Sequence, residues 1–245
     1  MKEAWNFAVL RGDRRQNLLC DLLRADGHSA CLLPEPERWK QENLPPPGTF
    51  LLAAKADEAL RRASEEAGLR LLEYGSLPAF QRENGCITAE NALQVAMKHR
   101  LRTLRGSDAL VIGWGNIGRP LFALLSALGA ETAVAVRREE QLSQLREQGI
   151  SAFLSTRLEE EVERYDLIFN TAPTLIFSGA VLRQLRPGAL LIDLASRPGG
   201  VDWESAQQLG IKAVQALALP GSLTPVSGAI AIRNAVYALC EEESS

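Results

Sequence analysis

The chain has 245 residues, 46% hydrophobic and 23% charged, with a formal net charge of -3 at neutral pH. That is enough apolar sequence to bury the core of one large domain or two small ones. The near balance of charge, with no long Lys/Arg run, leaves no electrostatic footprint for nucleic acid, and no stretch of about 18 uninterrupted apolar residues offers a membrane span.

The first residues, MKEAWNFAVL, run straight into strand-like sequence without a basic, long apolar leader. A strand over 6–10 is followed by the turn Arg11-Gly12-Asp13 and a helix with Leu18, Leu19, Leu22 and Leu23 on one face. Gly27 ends it, and HSACLL is a second strand. PEPERWKQENLPPPG then reads as an irregular excursion. GTFLLAA, a helix over about 56–67 and the strand LRLLEY follow, and 75–85 is again irregular. A helix over 88–104, capped by Thr88, connects to a second domain. There, strands are expected at 108–113, 131–136, 166–170, 189–193 and 211–217, with a short extra one at 151–154. A closing helix over 225–240 carries Ile232, Val236 and Leu239 on one stripe, and an acidic tail, EEESS, ends the chain. Alternation of strand and helix predicts α/β architecture with parallel sheets.

Gly113-Trp114-Gly115-Asn116-Ile117-Gly118 fits GxGxxG after the strand DALVI and before a helix with Leu121, Leu124, Leu125 and Leu128 at helical spacing. Gly113 permits the tight turn, Gly115 lets the pyrophosphate approach backbone, and Gly118 lets helix and strand pack closely. The phosphates of a dinucleotide then sit on the helix N-terminus. The next strand ends in Val136, Arg137 and Arg138 instead of the carboxylate that would accept from a free ribose 2'-hydroxyl. The two guanidinium groups favour NADP, with NAD as the alternative. Asn170 and Thr171, at the end of the strand YDLIFN, read either as lining the nicotinamide ribose, with Pro173 fixing the turn, or as a simple β-turn cap, and Asp193, ending ALLID, is placed at the cofactor edge of the same sheet. Ser196 and Arg197 precede a Pro-Gly-Gly turn. Arg197 reads either as a substrate or cofactor contact or as a salt bridge to Asp193. The loop LPGSLTPVSGA leaves open whether its Ser and Thr cap the last helix or touch the nicotinamide.

The predicted organisation is therefore two-domain. Residues 1–87 form a smaller, truncated Rossmann-like cap, 88–104 the connecting helix, and 105–245 a doubly wound Rossmann domain. The four cysteines and two histidines form no CxxC pair and no ligand spacing, which reads as reduced thiols in a cytoplasmic protein with no metal site.

The run LIDLASRPGGVDWESAQQLGIKAVQALALPGSLTP, with GWGNIG before it, resembles the family of dipicolinate synthase A subunits. The likeness extends to GDRRQ (Gly12 to Gln16) and to Asn84 with Thr88-Ala89-Glu90. The first domain departs from the family pattern by being shorter between the second strand and GTFLLAA, where LPPPG bridges the gap. The resemblance implies NADP-linked aromatisation of dihydrodipicolinate, a branch of the lysine pathway, in the mother cell of an endospore-forming bacterium. It also implies a flavoprotein-like B subunit in a homo- or hetero-oligomer. With that substrate, Arg197 becomes one carboxylate clamp beside Ser196, Arg14 or Arg15 the other, and Asp13, Glu90 and Thr88 the candidates for orientation or proton removal. Two alternatives stand beside it: another NADP-linked dehydrogenase of a small carboxylated metabolite, and a non-catalytic dinucleotide-binding subunit.

Overall fold

The structure, a computed structural model, describes residues 4–243. The first three residues of the stretch read as lacking a leader, and the last two of the acidic tail, lie outside the described residues. Among the described residues no helix is long and apolar enough to cross a membrane. The chain divides into two compact units, Met1–Ile87 with Pro220–Ser245, and Thr88–Leu219.

The first unit opens with β1 (Asn6–Leu10), α1 (Arg14–Ala25), β2 (Ser29–Leu33), β3 (Phe50–Ala53), α2 (Glu58–Glu66) and β4 (Arg70–Glu73). All four strands are parallel, in the order β2-β1-β3-β4. The apolar run FLLA is buried at every position, as a strand covered on both faces requires. Asp13 and Asp57 start the helices by accepting hydrogen bonds from Arg15 N and Leu60 N. Between β2 and β3 the proline-rich excursion forms only short 3-10 turns, and Trp39 Nε1 donates to the Pro34 carbonyl at 2.8 Å.

α3 (Pro78–His99) leads into the second unit, whose elements are β5 (Asp108–Ile112), α4 (Gly118–Ala127), β6 (Glu131–Val136), α5 (Glu139–Glu147), β7 (Ala152–Leu154), α6 (Leu158–Glu161), β8 (Leu167–Asn170), α7 (Gly179–Arg183), β9 (Leu190–Asp193), α8 (Trp203–Gln208) and β10 (Lys212–Gln215). This sheet is parallel throughout, in the order β10-β9-β8-β5-β6-β7. Counted within the unit that is 3-2-1-4-5-6 read from the other edge, the order of a doubly wound dinucleotide fold, with its switch point between β5 and β8. Leu121 and Leu125 of α4 are fully buried with Val111, Phe169 and Ile192 of the sheet, whereas Leu128 lies 37% exposed. At the amino edge Arg100, its side chain only 7% exposed, grips both carboxylate oxygens of Asp166 at 3.2 Å and fixes the entry to β8. The chain closes with α9 (Leu219–Ser222) and α10 (Pro225–Glu243).

Two expectations are corrected. Residues 75–85 are not irregular throughout: α3 starts at Pro78, a residue suited to the first helical position, and Gly85 is absorbed in its interior. Thr88 is therefore mid-helix and caps nothing. The closing helix also belongs to the first unit rather than to a domain spanning 105–245. Its stripe of Ala229, Ile232, Ala235, Val236 and Cys240 is buried with Phe7, Leu19, Cys20 and Leu23. An apolar stripe says that a helix is covered, but not which sheet covers it.

Glycines make that packing close. A Cβ at Gly228 would stand 2.6 Å from Arg15 Cδ, and one at Gly221 would fall on the Asp13 carboxylate, 2.6 Å from its Cγ. Asp13 has little freedom to retreat, being held by Arg15 N and the Arg15 guanidinium. Gly221→Ala is therefore expected to destabilise the first unit by about 1–3 kcal/mol through overpacking and a disturbed cap, read as a lowered thermal midpoint; an unchanged midpoint would show that the carboxylate gives way freely.

Candidate dinucleotide site

The three glycines of the turn after β5, at positions 113, 115 and 118, differ in what surrounds them. Gly113 has φ +97°, and its position faces Thr171 Oγ1 too closely for a side chain. A Cβ at Gly118 would strike the Gly113 carbonyl oxygen and lie 2.9 Å from its carbon. Gly115 is different: nothing of the protein lies within 4 Å of a Cβ there, and the residue is exposed. No steric demand of the protein itself therefore calls for glycine at this position. α4 begins at Gly118 with Ile117 at the capping position, which supplies no side-chain acceptor, and its first turn holds no acidic residue. Its first N–H groups thus meet an anion on favourable terms. Asn116 beside it is exposed and Ile117 half-buried.

The turn is braced from β8. Thr171 donates its hydroxyl (2.7 Å) and its N–H (3.0 Å) to the Ile112 carbonyl across the switch point. On the other side, Gly113 N donates to Ala135 O at 2.9 Å, so the end of β6 runs alongside. Arg137 and Arg138 follow, both exposed, and no ion pair holds either among the described residues. Sequence reasoning passed over Arg119, also exposed, whose Nε donates to Trp114 O at 3.2 Å. A cation in the first turn of a helix is unfavourable unless an anion joins it, and that was its legible signal.

At the ends of β8 and β9 the structure separates the expected site residues into two kinds. Ser196 and Arg197 are exposed, and Arg197 makes no ion pair among the described residues, so the salt bridge to Asp193 does not form. Pro173 is exposed as well. Asn170 and Asp193, by contrast, have no exposed surface. Asn170 Nδ2 donates to Asp193 Oδ1 at 2.8 Å, and Asp193 also accepts from Ala195 N (3.2 Å) and Gly200 N (3.1 Å). Direct cofactor contact from these two is corrected: their polar atoms are turned inward and bonded there.

A family model for the NAD binding domain of D-isomer specific 2-hydroxyacid dehydrogenases matches residues 80–207. The chain belongs to that dehydrogenase family. As a family member it carries a nicotinamide dinucleotide-binding domain, and the glycine turn, the open helix end and the strand order above are its parts. The likeness to dipicolinate synthase A subunits holds as well. The A subunit of dipicolinate synthase from Bacillus subtilis (strain 168) is 33% identical over 191 residues, covering 78% of this chain and 61% of that protein, less than two thirds of its length. The crystal structure of the dipicolinate synthase A chain from Bacillus subtilis superposes with a TM-score of 0.83 at 26% identity, over 99% of this chain and 97% of that one. The apo-structure of D-lactate dehydrogenase from Escherichia coli, 13% identical with a TM-score of 0.64 over 98% of this chain and 97% of its own, shares the fold alone.

The candidates for proton transfer differ in what surrounds them. Thr88 is buried inside α3, while Glu90 is exposed and without an ion pair among the described residues. Two positions apart on a helix, they do not face each other. Asp13 caps α1 and is gripped by Arg15 Nε at 3.0 and 3.1 Å and by Nη2 at 2.8 Å. Burial pushes its carboxyl upward, but hydrogen bonds from the Arg15 side chain and N–H, with the Arg15 charge, outweigh this and hold it below the usual carboxylate range. Asp13 is thereby a weak proton acceptor, and the Arg15 charge is spent on it. Arg14 is exposed and makes no ion pair among the described residues.

Proposed function

We propose that this chain is an NADP-dependent oxidoreductase that aromatises dihydrodipicolinate to dipicolinate, working during endospore formation in the manner of dipicolinate synthase A subunits, with a different second chain as its partner. The observation that carries the reading is an exposed Arg197, without an ion pair among the described residues, just beyond the carboxyl end of β9 in the sheet that carries the glycine turn, within a run that resembles dipicolinate synthase A subunits. The residues present fit a dinucleotide: Gly115 is open to approach, the N-terminus of α4 takes phosphate, and Arg137 and Arg138 take a 2'-phosphate. The bound cofactor supplies the two-electron acceptor.

Aromatisation removes one hydride equivalent and one proton from the ring, so the protein's share is to orient the substrate and accept that proton. Arg197 binds one carboxylate through charge-assisted hydrogen bonds, with Ser196 beside it. Glu90 takes the proton, being the candidate whose carboxylate is neither buried nor paired.

The test is to mix the purified chain with NADP and freshly generated dihydrodipicolinate, with and without the partner chain, and follow ultraviolet absorbance of the aromatic product. A rise that requires this chain supports the assignment. Cofactor binding with no turnover in any combination would sink it and leave a dinucleotide-binding protein without chemistry. The family match favours one further reading, a dehydrogenase of another small carboxylate, and 2-hydroxy acids in the same assay test it.

A further inference from the structure

The loop 195–200 is tied down from beneath by groups that reach no solvent. Asp193 and Asn170 close the ends of adjacent strands, β9 and β8, in register with one another. The Asp193 carboxylate accepts three hydrogen bonds, from Asn170 Nδ2, Ala195 N and Gly200 N, with no cation among them. Asn170 completes its own set by donating to Ala172 O and accepting from Ala172 N, both at 3.1 Å. The loop comes close enough for this only because of its glycines. A Cβ at Gly199, where φ is +91°, would sit 3.0 Å from Asp193 Oδ2, and one at Gly200 would fall on the Asn170 amide, 2.9 Å from Ala172 O. The Gly200 carbonyl is taken as well, by Ile176 N at 3.0 Å and Phe177 N at 2.9 Å. Both ends of the loop are thus pinned, and between them stand Ser196 and Arg197, exposed.

A buried carboxylate satisfied by one amide and two loop N–H groups is costly to desolvate, and hydrophobic closure of the sheet end would be the simpler way to gain stability. What the arrangement secures is direction. We propose that Asp193, with Asn170, is a positioning residue that holds the 195–200 loop so that Arg197 is presented to a substrate carboxylate. This rests on the reading of Arg197 given above, and goes beyond it by assigning the buried Asp193 carboxyl a purpose.

Asp193→Asn keeps the shape while turning an N–H donor on one of the two loop N–H groups. In the NADP-loaded full chain, it is expected to raise the dissociation constant of pyridine-2,6-dicarboxylate about tenfold while moving that of NADP less than twofold. In an Arg197→Ala background the same substitution should have almost no further effect on the dicarboxylate, because the two act through one group. Hydrogen exchange at Ala195 and Gly200 should accelerate in Asp193→Asn, and Gly200→Ala, which presses the lock from its other side, should reproduce both effects. Multiplicative losses in the double variant, or equal losses of NADP and dicarboxylate affinity, would overturn the positioning role. Unchanged exchange in Asp193→Asn would overturn the lock whatever Arg197 does. If Arg197→Ala itself leaves dicarboxylate binding unchanged, the substrate assignment of Arg197 fails and the presentation role with it, while exchange still reports whether the loop is locked.

Discussion

Gly118→Ala is expected to yield a chain that no longer binds a nicotinamide dinucleotide and that melts at lower temperature, whereas Gly115→Ala should lose affinity with its melting temperature intact. The contrast follows from what each added methyl meets. At Gly118 it meets backbone, the Gly113 carbonyl, with the carbon 2.9 Å away, and neither the turn nor the helix has a side chain to swing aside. α4 must draw back from β5, pulling on the fully buried Leu121 and Leu125. Overpacking of this kind costs about 1–3 kcal/mol, and the retreat also takes the helix N–H groups away from where a phosphate would lie. At Gly115 the methyl meets nothing of the protein within 4 Å, so the folded state is spared and only an incoming pyrophosphate is obstructed. Equilibrium titration with NADPH and thermal melts separate the two effects. A Gly115→Ala protein that binds with undiminished affinity would overturn the reading of this turn as the phosphate site.

The second sheet was legible because its signals are local. Within DALVI and ETAVAV the apolar stretches ALVI and AVAV are continuous and bounded by charged or polar residues and by glycine or arginine, which is how a strand covered on both faces appears in sequence. Two of the three glycines of the turn, Gly113 and Gly118, answer steric demands of the backbone itself, which is why their spacing reads so directly in the sequence. Where the reading failed, the deciding contact was distant in sequence. The home of α10 depends on Leu19 and Phe7, some two hundred residues away, and its own stripe is the same whichever sheet it covers. The start of α3 at Pro78 is obscured in the sequence because Gly75, Pro78 and Gly85 lie close together, although a single glycine costs a long helix only about 1 kcal/mol.

Site residues were harder to sort, because residue type at a strand end does not say whether the side chain turns inward. Asn170 and Asp193 stand where a cofactor residue would stand, and their types suit that role; only the burial of both and their mutual hydrogen bond reveal a support instead. Asp13 shows the same ambiguity, since a cap, an ion-pair partner and a base are one residue type. Arg197 stayed open between a ligand contact and a salt bridge to Asp193, because the sequence does not say whether a cation finds a partner; only the structure shows it exposed and without an ion pair among the described residues.

The second large effect is expected at Arg137 and Arg138. Replacing both with alanine should weaken NADPH binding by about a hundredfold or more and NADH binding by less than about threefold, taking roughly 1.5–3 kcal/mol for each hydrogen bond to a charged group. The structural argument starts from the Gly113 N to Ala135 O hydrogen bond, which sets the end of β6 beside the phosphate turn. Both arginines leave that strand end exposed and without an ion pair among the described residues, and Arg138 occupies the capping position of α5 without supplying a side-chain acceptor. A cation there opposes the helix dipole, partly offset by Glu139 and Glu140 in the first turn. Removing the arginines should therefore leave stability unchanged or raise it by a few tenths of a kcal/mol, the reverse of what a structural ion pair would give. The loss in affinity should also shrink as salt rises, because exposed charges are screened over about 8–10 Å at ordinary ionic strength. Paired titrations with NADPH and NADH, at low and high salt, decide the matter: equal affinities for the two cofactors in the unaltered chain would show that these arginines read no 2'-phosphate.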